Sequence, residues 1–310
     1  MTTPNQERWL AFAERQLALG NPRGALDPLR RALAEDPDCA IAHSLMALVL
    51  VPLKRLHAAE HEAGMGLTIA PEESFAHHAM GVVRLAQRRL RDAAKHLELA
   101  ISLEPESTDL LRVLATVRTL EGDRDAAGKL LEKARELAPD DPSTLADLGR
   151  HRLAQGDVDG AEALAHDALN LAAEHRDALV LMGHVALRRG RIDEAREHAL
   201  WALRQDPVDS DALTLLASIK ARQSFTLGFW WRLNVALVEL GERRMMFVLL
   251  LAFVVYQVLR RVLLDYEQDA IADTLSYVWL GFCAYTWIAP SRFAKMLEEE
   301  LRQVRFRNDF

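Results

Sequence analysis

Along the chain, small and apolar positions keep a strict register from Gln6 to Val208 and change character after Ser224. Ala25, Ala59, Ala93, Ala127, Ala161 and Ala195 stand 34 residues apart without slippage. Ala32, Gly66, Ala100, Ala134, Ala168 and Ala202 repeat the step. So do Pro37, Pro71, Pro105 and Pro139, with Ala173 standing where a proline would fall before Pro207. Self-similarity at this period predicts an all-α solenoid of helix-turn-helix units. Small residues are required where two helices approach too closely for a larger side chain. Each proline ends the second helix of a unit and turns the chain into the next.

Beyond the solenoid, Phe229, Trp230 and Trp231 crowd together, and Leu233, Ala236, Leu237 and Leu240 keep helical spacing after them. Residues 224–244 therefore read as an amphipathic helix, either interfacial or capping the last repeat. Met245 to Leu259 then gives 15 residues without a charge. At ~1.5 Å per residue that is about 22 Å, and reaching a ~30 Å hydrocarbon core takes in Arg260 to Leu264 with both arginines snorkelling. A second apolar stretch, Ile271 to Pro290, follows the acidic turn Asp265 to Asp269. The pair predicts a transmembrane helical hairpin over residues 245–290, with spans at about 245–264 and 271–290. Phe229, Trp230, Trp231, Trp279 and Trp287 are its expected membrane-interface aromatics. Arg232, Arg243 and Arg244 precede the first span, and Arg292, Lys295, Arg302, Arg305 and Arg307 follow the second. That flanking charge predicts that the solenoid and both termini face the cytoplasm at a bacterial inner membrane. Phe293, Leu297, Leu301 and Val304 form one stripe of a cytoplasmic juxtamembrane helix over residues 291–310.

The repeating unit resembles the tetratricopeptide repeat (TPR) family. Framed from Gln6, the first unit supplies Trp9, Phe12, Ala13, Ala25, Leu29, Ala32 and Pro37 at the family's marked positions. The third supplies Met80, Gly81, Ala93, Leu97, Ala100 and Pro105, and the fourth Leu111, Leu114, Ala115, Ala127, Leu131, Ala134 and Pro139. Six units fit without insertion, and Asp211 to Gln223 resembles the first helix of a seventh. The resemblance implies a right-handed superhelix over residues 1–223. Only one unit carries the family's Trp, and His43 and His77 take a position that is buried in the family. A core histidine with a hydrogen-bonding partner is the expectation at both.

The same resemblance implies a concave face lined by the first helix of each unit. Its N-terminal part would present Leu10, Leu17, Leu48, Val51, Phe75, His78, Val82 and Leu85. Its C-terminal part would present Asp109, Arg112, Thr116, Arg150, Asp177, His184, Arg188, Asp211 and Arg222. The first part is apolar and suits an amphipathic or extended apolar peptide, unless the chain's own C-terminal segment covers it. In the second part, Arg112 and Arg150 can hold a carboxylate or stand solvated. The family's basic clamp for chaperone C-termini has no counterpart in Leu10, Glu14, Ser44, Leu48, His78 and Val82.

A formal net charge of -7 argues against general nucleic-acid binding. Cys39 and Cys283 lie in segments that cannot meet, which fits a reducing compartment. Met1 to Arg8 is polar and has no apolar core, so no secretory signal is expected and the solenoid is expected in the cytosol. His57-Ala58-Ala59-Glu60-His61 spells an inverted zinc-protease string, but it falls inside a repeat helix with the ladder residue Ala59 within it. No phosphate loop, nucleophile elbow or dinucleotide fingerprint appears. No catalytic, cofactor or metal site is expected. The expectation is a membrane-anchored protein-interaction scaffold that binds protein partners in its groove. The alternative is a structural or assembly subunit that meets other membrane subunits, or further copies of itself, through the hairpin.

Overall fold

The computed structural model describes residues 4–206, 209–223, 242–266, 268–271, 273–281 and 283–284, which are all helix, turn or connecting loop. The chain divides into two units, residues 1–181 and 182–310.

In the first unit, antiparallel helix pairs succeed one another as the ladder requires. They are α1 (Pro4–Ala18) with α2 (Pro22–Glu35), α3 (Ala40–Leu50) with α4 (Leu56–Ile69), and α5 (Ser74–Ala86) with α6 (Leu90–Leu103). The pairs α7 (Thr108–Glu121) with α8 (Arg124–Leu137) and α9 (Pro142–Gln155) with α10 (Val158–Leu171) follow. The next helix, α11 (Arg176–Arg188), crosses into the second unit, which continues with α12 (Ile192–Gln205) and α13 (Ser210–Gln223). The fold is all-α and of the superhelical TPR type.

The ladder alanines carry this packing. Ala25, Ala59, Ala93, Ala127 and Ala161 are wholly buried, and the second rung at Ala32, Ala100, Ala134 and Ala168 is equally closed. Where the rung is glycine, the reason is a neighbour: a Cβ on Gly66 would stand 2.7 Å from Ser44 Oγ. Leu29, Leu97, Leu111 and Leu148 fill the space that the small residues leave between helices. The second helices close with a backbone bond from the residue at the proline-preceding position, as in Asp36 N–H to Ala32 O and Glu104 N–H to Ala100 O, and Ala172 N–H makes the same bond to Ala168 O although Ala173 follows it.

Buried histidines tie the loop before a first helix to the second helix of the same pair. His43 Nε2 lies 2.9 Å from Pro37 O, and its Nδ1 lies 2.6 Å from Glu62 Oε2. His77 repeats the geometry one unit on, with Nε2 2.9 Å from Pro71 O and Nδ1 3.2 Å from His96 Nδ1. Both are the expected core histidines.

The turns between the paired helices share one left-handed position. Gly20, Gly122, Gly156 and Gly190 hold it with φ of 68° to 91°, while Lys54 and Arg88 hold it at 60° and 61°. These six stand 34 residues apart, a glycine ladder broken in the second and third repeats.

The C-terminal region departs from the transmembrane hairpin that its apolar runs predict. α14 (Glu242–Asp265) covers the first expected span, and the chain is helical again over residues 269–271, 273–281 and 283–284. Tyr256 stacks on Trp279 with ring centroids 4.8 Å apart, and Tyr256 Oη donates to Ser276 Oγ at 3.3 Å, so the two stretches pack as a hairpin. Among the described residues, however, no helix is long and apolar enough to cross a membrane. The uncharged run of Met245 to Leu259 ends at the Arg260-Arg261 pair, which leaves about 22 Å of apolar helix against the ~30 Å required. Phe229, Trp230, Trp231 and Trp287 lie outside the described residues, as do the expected helix over 291–310 and nearly all of that over 224–244.

Candidate functional site

The polar part of the predicted groove comes together around Arg112, on the exposed side of α7. Its Nε donates to Asp147 Oδ2 of α9 at 2.7 Å, and its Nη1 donates to Asp109 Oδ1 at 3.1 Å. Asp141 Oδ2 stands 3.9 Å from the same Nη1. Asp147 also receives Arg150 Nη1 at 3.1 Å, so one carboxylate bridges two guanidinium groups. Burial alone would lower the Arg112 pKa, but the charge and hydrogen bond of Asp147, then Asp109 and Asp141, raise it above its ordinary value. Arg112 is thus a fixed, neutralised strut.

Asp141 is placed by the start of α9. Its Oδ1 accepts from Ser143 N–H at 3.2 Å and its Oδ2 from Thr144 N–H at 2.9 Å, capping the helix behind Pro142. Burial pushes its carboxyl upward, but the Thr144 and Ser143 donors and Arg112 bring it below its ordinary range. His78, half-buried on α5, has its pKa lowered chiefly by burial, against the opposing pull of Asp109 and Glu104.

Beside this network a cavity of about 310 Å³ opens between α7, α8 and α9. Ala115, Leu120, Leu131 and Ala154 form its apolar part, and Arg112, Arg124, Arg150 and Asp147 supply its charge. A neighbouring cavity of about 320 Å³ shares Arg112, Thr116 and Asp147 and reaches His78 and Asp109. Together they make one groove along α5, α7 and α9.

Of the residues that sequence singled out, Arg112, Arg150 and His78 therefore share this groove. Leu10 does not line a surface: it is buried in the core with Ala13 and Leu29. Leu48, Val51 and Phe75 pack partly against that same core, and Leu85 packs against the cluster around Leu97 and Leu114. Val82 is half-buried, and His184 lies in the other unit. Sequence reasoning missed Asp147, Asp141, Arg124 and His151. The available signal was the 35-residue step from Arg112 to Asp147, which puts two residues opposite each other on neighbouring first helices of a 34-residue repeat. In the zinc-like string, Glu60 accepts from Arg84 and from Gln87 Nε2 at 2.8 Å, and His57 and His61 point to solvent.

Stacked antiparallel helix pairs with a groove along their first helices define a helical-repeat protein. Family models described as tetratricopeptide repeat match residues 10–72, 84–148 and 152–219, and the chain belongs to that family. No curated protein matches it. Among solved structures it is similar to a thermophilic TPR protein of Thermus thermophilus, at 24% identity over 59% of this chain and 99% of that one, TM-score 0.55. It is also similar to PilW, a widely conserved type IV pilus biogenesis factor, at 17% identity over 69% of this chain and 99% of that one, TM-score 0.53. The APC/C hetero-tetramer Cut9-Hcn1 matches at 18% identity over 69% of this chain and 42% of that chain, TM-score 0.56. At these identities the likeness shows the fold alone.

Proposed function

We propose that this chain is a membrane-associated interaction scaffold, and that the groove along α7 and α9 takes a peptide carrying a carboxylate beside an apolar side chain. The observation that carries the reading is the composition of the 310 Å³ cavity: three arginines and one aspartate around an apolar floor. Asp147 already satisfies Arg112 and Arg150 in part, while Arg124 has no ion-pair partner among the described residues. An incoming carboxylate therefore meets net positive charge at Arg124 and Arg150, next to a pocket for a Leu- or Phe-sized group. Binding, not turnover, is the proposed activity.

The membrane part of the proposal draws on α14, where Leu251, Phe253, Val254, Val255, Val258 and Leu259 are all exposed. An apolar face of that size needs an apolar surrounding. Localisation at the cytoplasmic face of an inner membrane is the corresponding proposal. The stacked Tyr256–Trp279 pair and its apolar flanks favour a second reading, in which this hairpin seats the chain among the membrane subunits of a complex.

The test is an array of peptides pairing Asp or Glu with Leu or Phe, probed with the full chain and with Arg124→Glu/Arg150→Glu. Capture of acidic-apolar peptides should fall at least tenfold in the double variant, since charge reversal removes attraction and adds repulsion. Equal capture by both proteins would refute the groove assignment. A photoreactive residue at Thr116, at the junction of the two cavities, then identifies the natural partner in membranes.

A further inference from the structure

The second and third repeats break two local rules at the same place. In the first, fourth and fifth repeats the turn between paired helices carries a left-handed glycine followed by a capping side chain: Gly20-Asn21, Gly122-Asp123 and Gly156-Asp157. In the second and third the pairs are Lys54-Arg55 and Arg88-Arg89, with positive φ on the first residue and no side-chain cap from the second. Nothing in the packing requires the change, for these side chains are exposed. Both substitutions work against stability, and local rules broken without a structural gain point to function.

Their common product is charge. Lys54, Arg55, Arg88, Arg91 and Lys95 are all exposed, and none has an ion-pair partner among the described residues. Arg89 alone is engaged, by Asp92 at 2.8 Å and by Glu60 at 3.7 Å. Three of these five cations, Lys54, Arg55 and Arg88, occupy two neighbouring turns, and Arg91 and Lys95 follow on the exposed side of α6, in a chain whose net charge is -7. The turns that join one repeat to the next are acidic in the same unit, with Glu72, Glu73, Glu104, Glu106 and Asp140 exposed there. The basic patch lies on the edge of the unit that carries the turns between paired helices, opposite in charge to the turns that join one repeat to the next.

We infer that this edge docks on the anionic phosphate headgroups of a lipid bilayer. The inference rests on the membrane association proposed above, because the exposed apolar side chains of α14 are what favour a bilayer over a soluble polyanion. Guanidinium groups pair with phosphate oxygens bidentately, and exposed turns bring them to a flat surface without rearrangement. Each cation near an anionic surface is expected to raise partitioning roughly fivefold, in a salt-dependent way.

The test compares flotation of the full chain with vesicles of phosphatidylcholine alone and with phosphatidylglycerol added. The variants are Lys54→Gln/Arg55→Gln/Arg88→Gln/Arg91→Gln and a charge-matched control, Arg8→Gln/Arg15→Gln/Lys129→Gln/Lys133→Gln. The gain from phosphatidylglycerol should drop roughly a hundredfold or more in the patch variant, persist in the control and vanish at high salt. Protection of the bonds after Lys54, Arg55, Arg88 and Arg91 from trypsin on phosphatidylglycerol vesicles gives a second readout, valid even if α14 binds neutral lipid strongly. Loss in both variants alike, no protection, or displacement by a short single-stranded RNA or polyglutamate would overturn the inference. Failure on phosphatidylcholine alone, with the phosphatidylglycerol gain intact, would remove the role of α14 and leave the patch standing.

Discussion

At the residue scale the informative positions are those where chemistry and backbone disagree. Lys54 and Arg88 sit in the left-handed region at φ near 60°, which costs a residue with a Cβ roughly 1–2 kcal/mol. Glycine there relieves the strain but loosens the unfolded chain. Lys54→Gly and Arg88→Gly should each raise stability by about 0.5–1 kcal/mol, read as a higher urea midpoint with an unchanged m-value. The reverse change, Gly156→Ala, should lower it by about 1 kcal/mol. Histidines give a second residue-scale prediction. His96 is shifted down mainly by burial, then by His77 and Arg84, with Asp92 opposing, and His78, His151 and His175 are shifted down with burial first as well. A histidine whose folded pKa lies below its ordinary 6.5 takes up a proton on unfolding. Its contribution is whole above 6.5 and is lost as pH falls from there toward the lowered value. The urea midpoint should therefore be lower at about pH 5.5 than at about pH 7.5, and His96→Gln should flatten that dependence. An unchanged slope in the variant would assign the loss to other groups.

At the element scale, stability depends on how closely the paired helices approach. Ala127 is wholly buried where α8 meets its neighbours, within a cluster of Ala115, Leu131 and Leu148. Ala127→Leu should cost about 1–3 kcal/mol by overpacking, while Ala126→Leu, one residue outside that rung, should cost far less. Circular dichroism during urea titration separates the two. This is also the scale at which the sequence was most legible. A 34-residue step in Ala and Pro specifies small contacts and helix stops, and those two features nearly suffice to build the pairs. The glycine rung was equally present, but Lys54 and Arg88 interrupt it, and only the φ values show six residues doing one job. The groove was legible in part. Arg112 and Arg150 were identifiable as charged residues on first helices, yet the pairing of both with the one carboxylate of Asp147 depends on the spacing between neighbouring helices. Leu10 failed as a groove residue for the same reason: position along a helix fixes a face, and how deeply that face is buried depends on the next pair. In the C-terminal region, helices and turn could be read from the apolar runs, whereas the length of apolar helix fell short at Arg260 and Arg261.

At the scale of the whole molecule, three surfaces bear on one another through energy. The groove offers a few exposed charges, and exposed ion pairs contribute little each, about 0–1 kcal/mol. As a peptide site it would bind a free peptide weakly. Confinement to a membrane changes this, because partners held at one surface meet at an effective concentration that linker arithmetic places in the millimolar range. A weak groove is then sufficient, and a strong one would be slow to release. On the proposed membrane association, the apolar side chains of α14 and the cations at Lys54, Arg55, Arg88 and Arg91 would supply two separable attachments for that confinement, one apolar and salt-insensitive, the other screened by salt. Cell fractionation tests the arrangement as a whole. The full chain should sediment with membranes, resist extraction by about 1 M salt and release into nonionic detergent. Deleting residues 224–310 should move it to the soluble fraction at high salt and leave a residue of membrane binding at low salt, which the Lys54→Gln/Arg55→Gln/Arg88→Gln/Arg91→Gln change then removes. A full chain that stays in the supernatant in low salt without detergent would contradict both attachments, and the groove would have to be strong enough to hold its partner from solution.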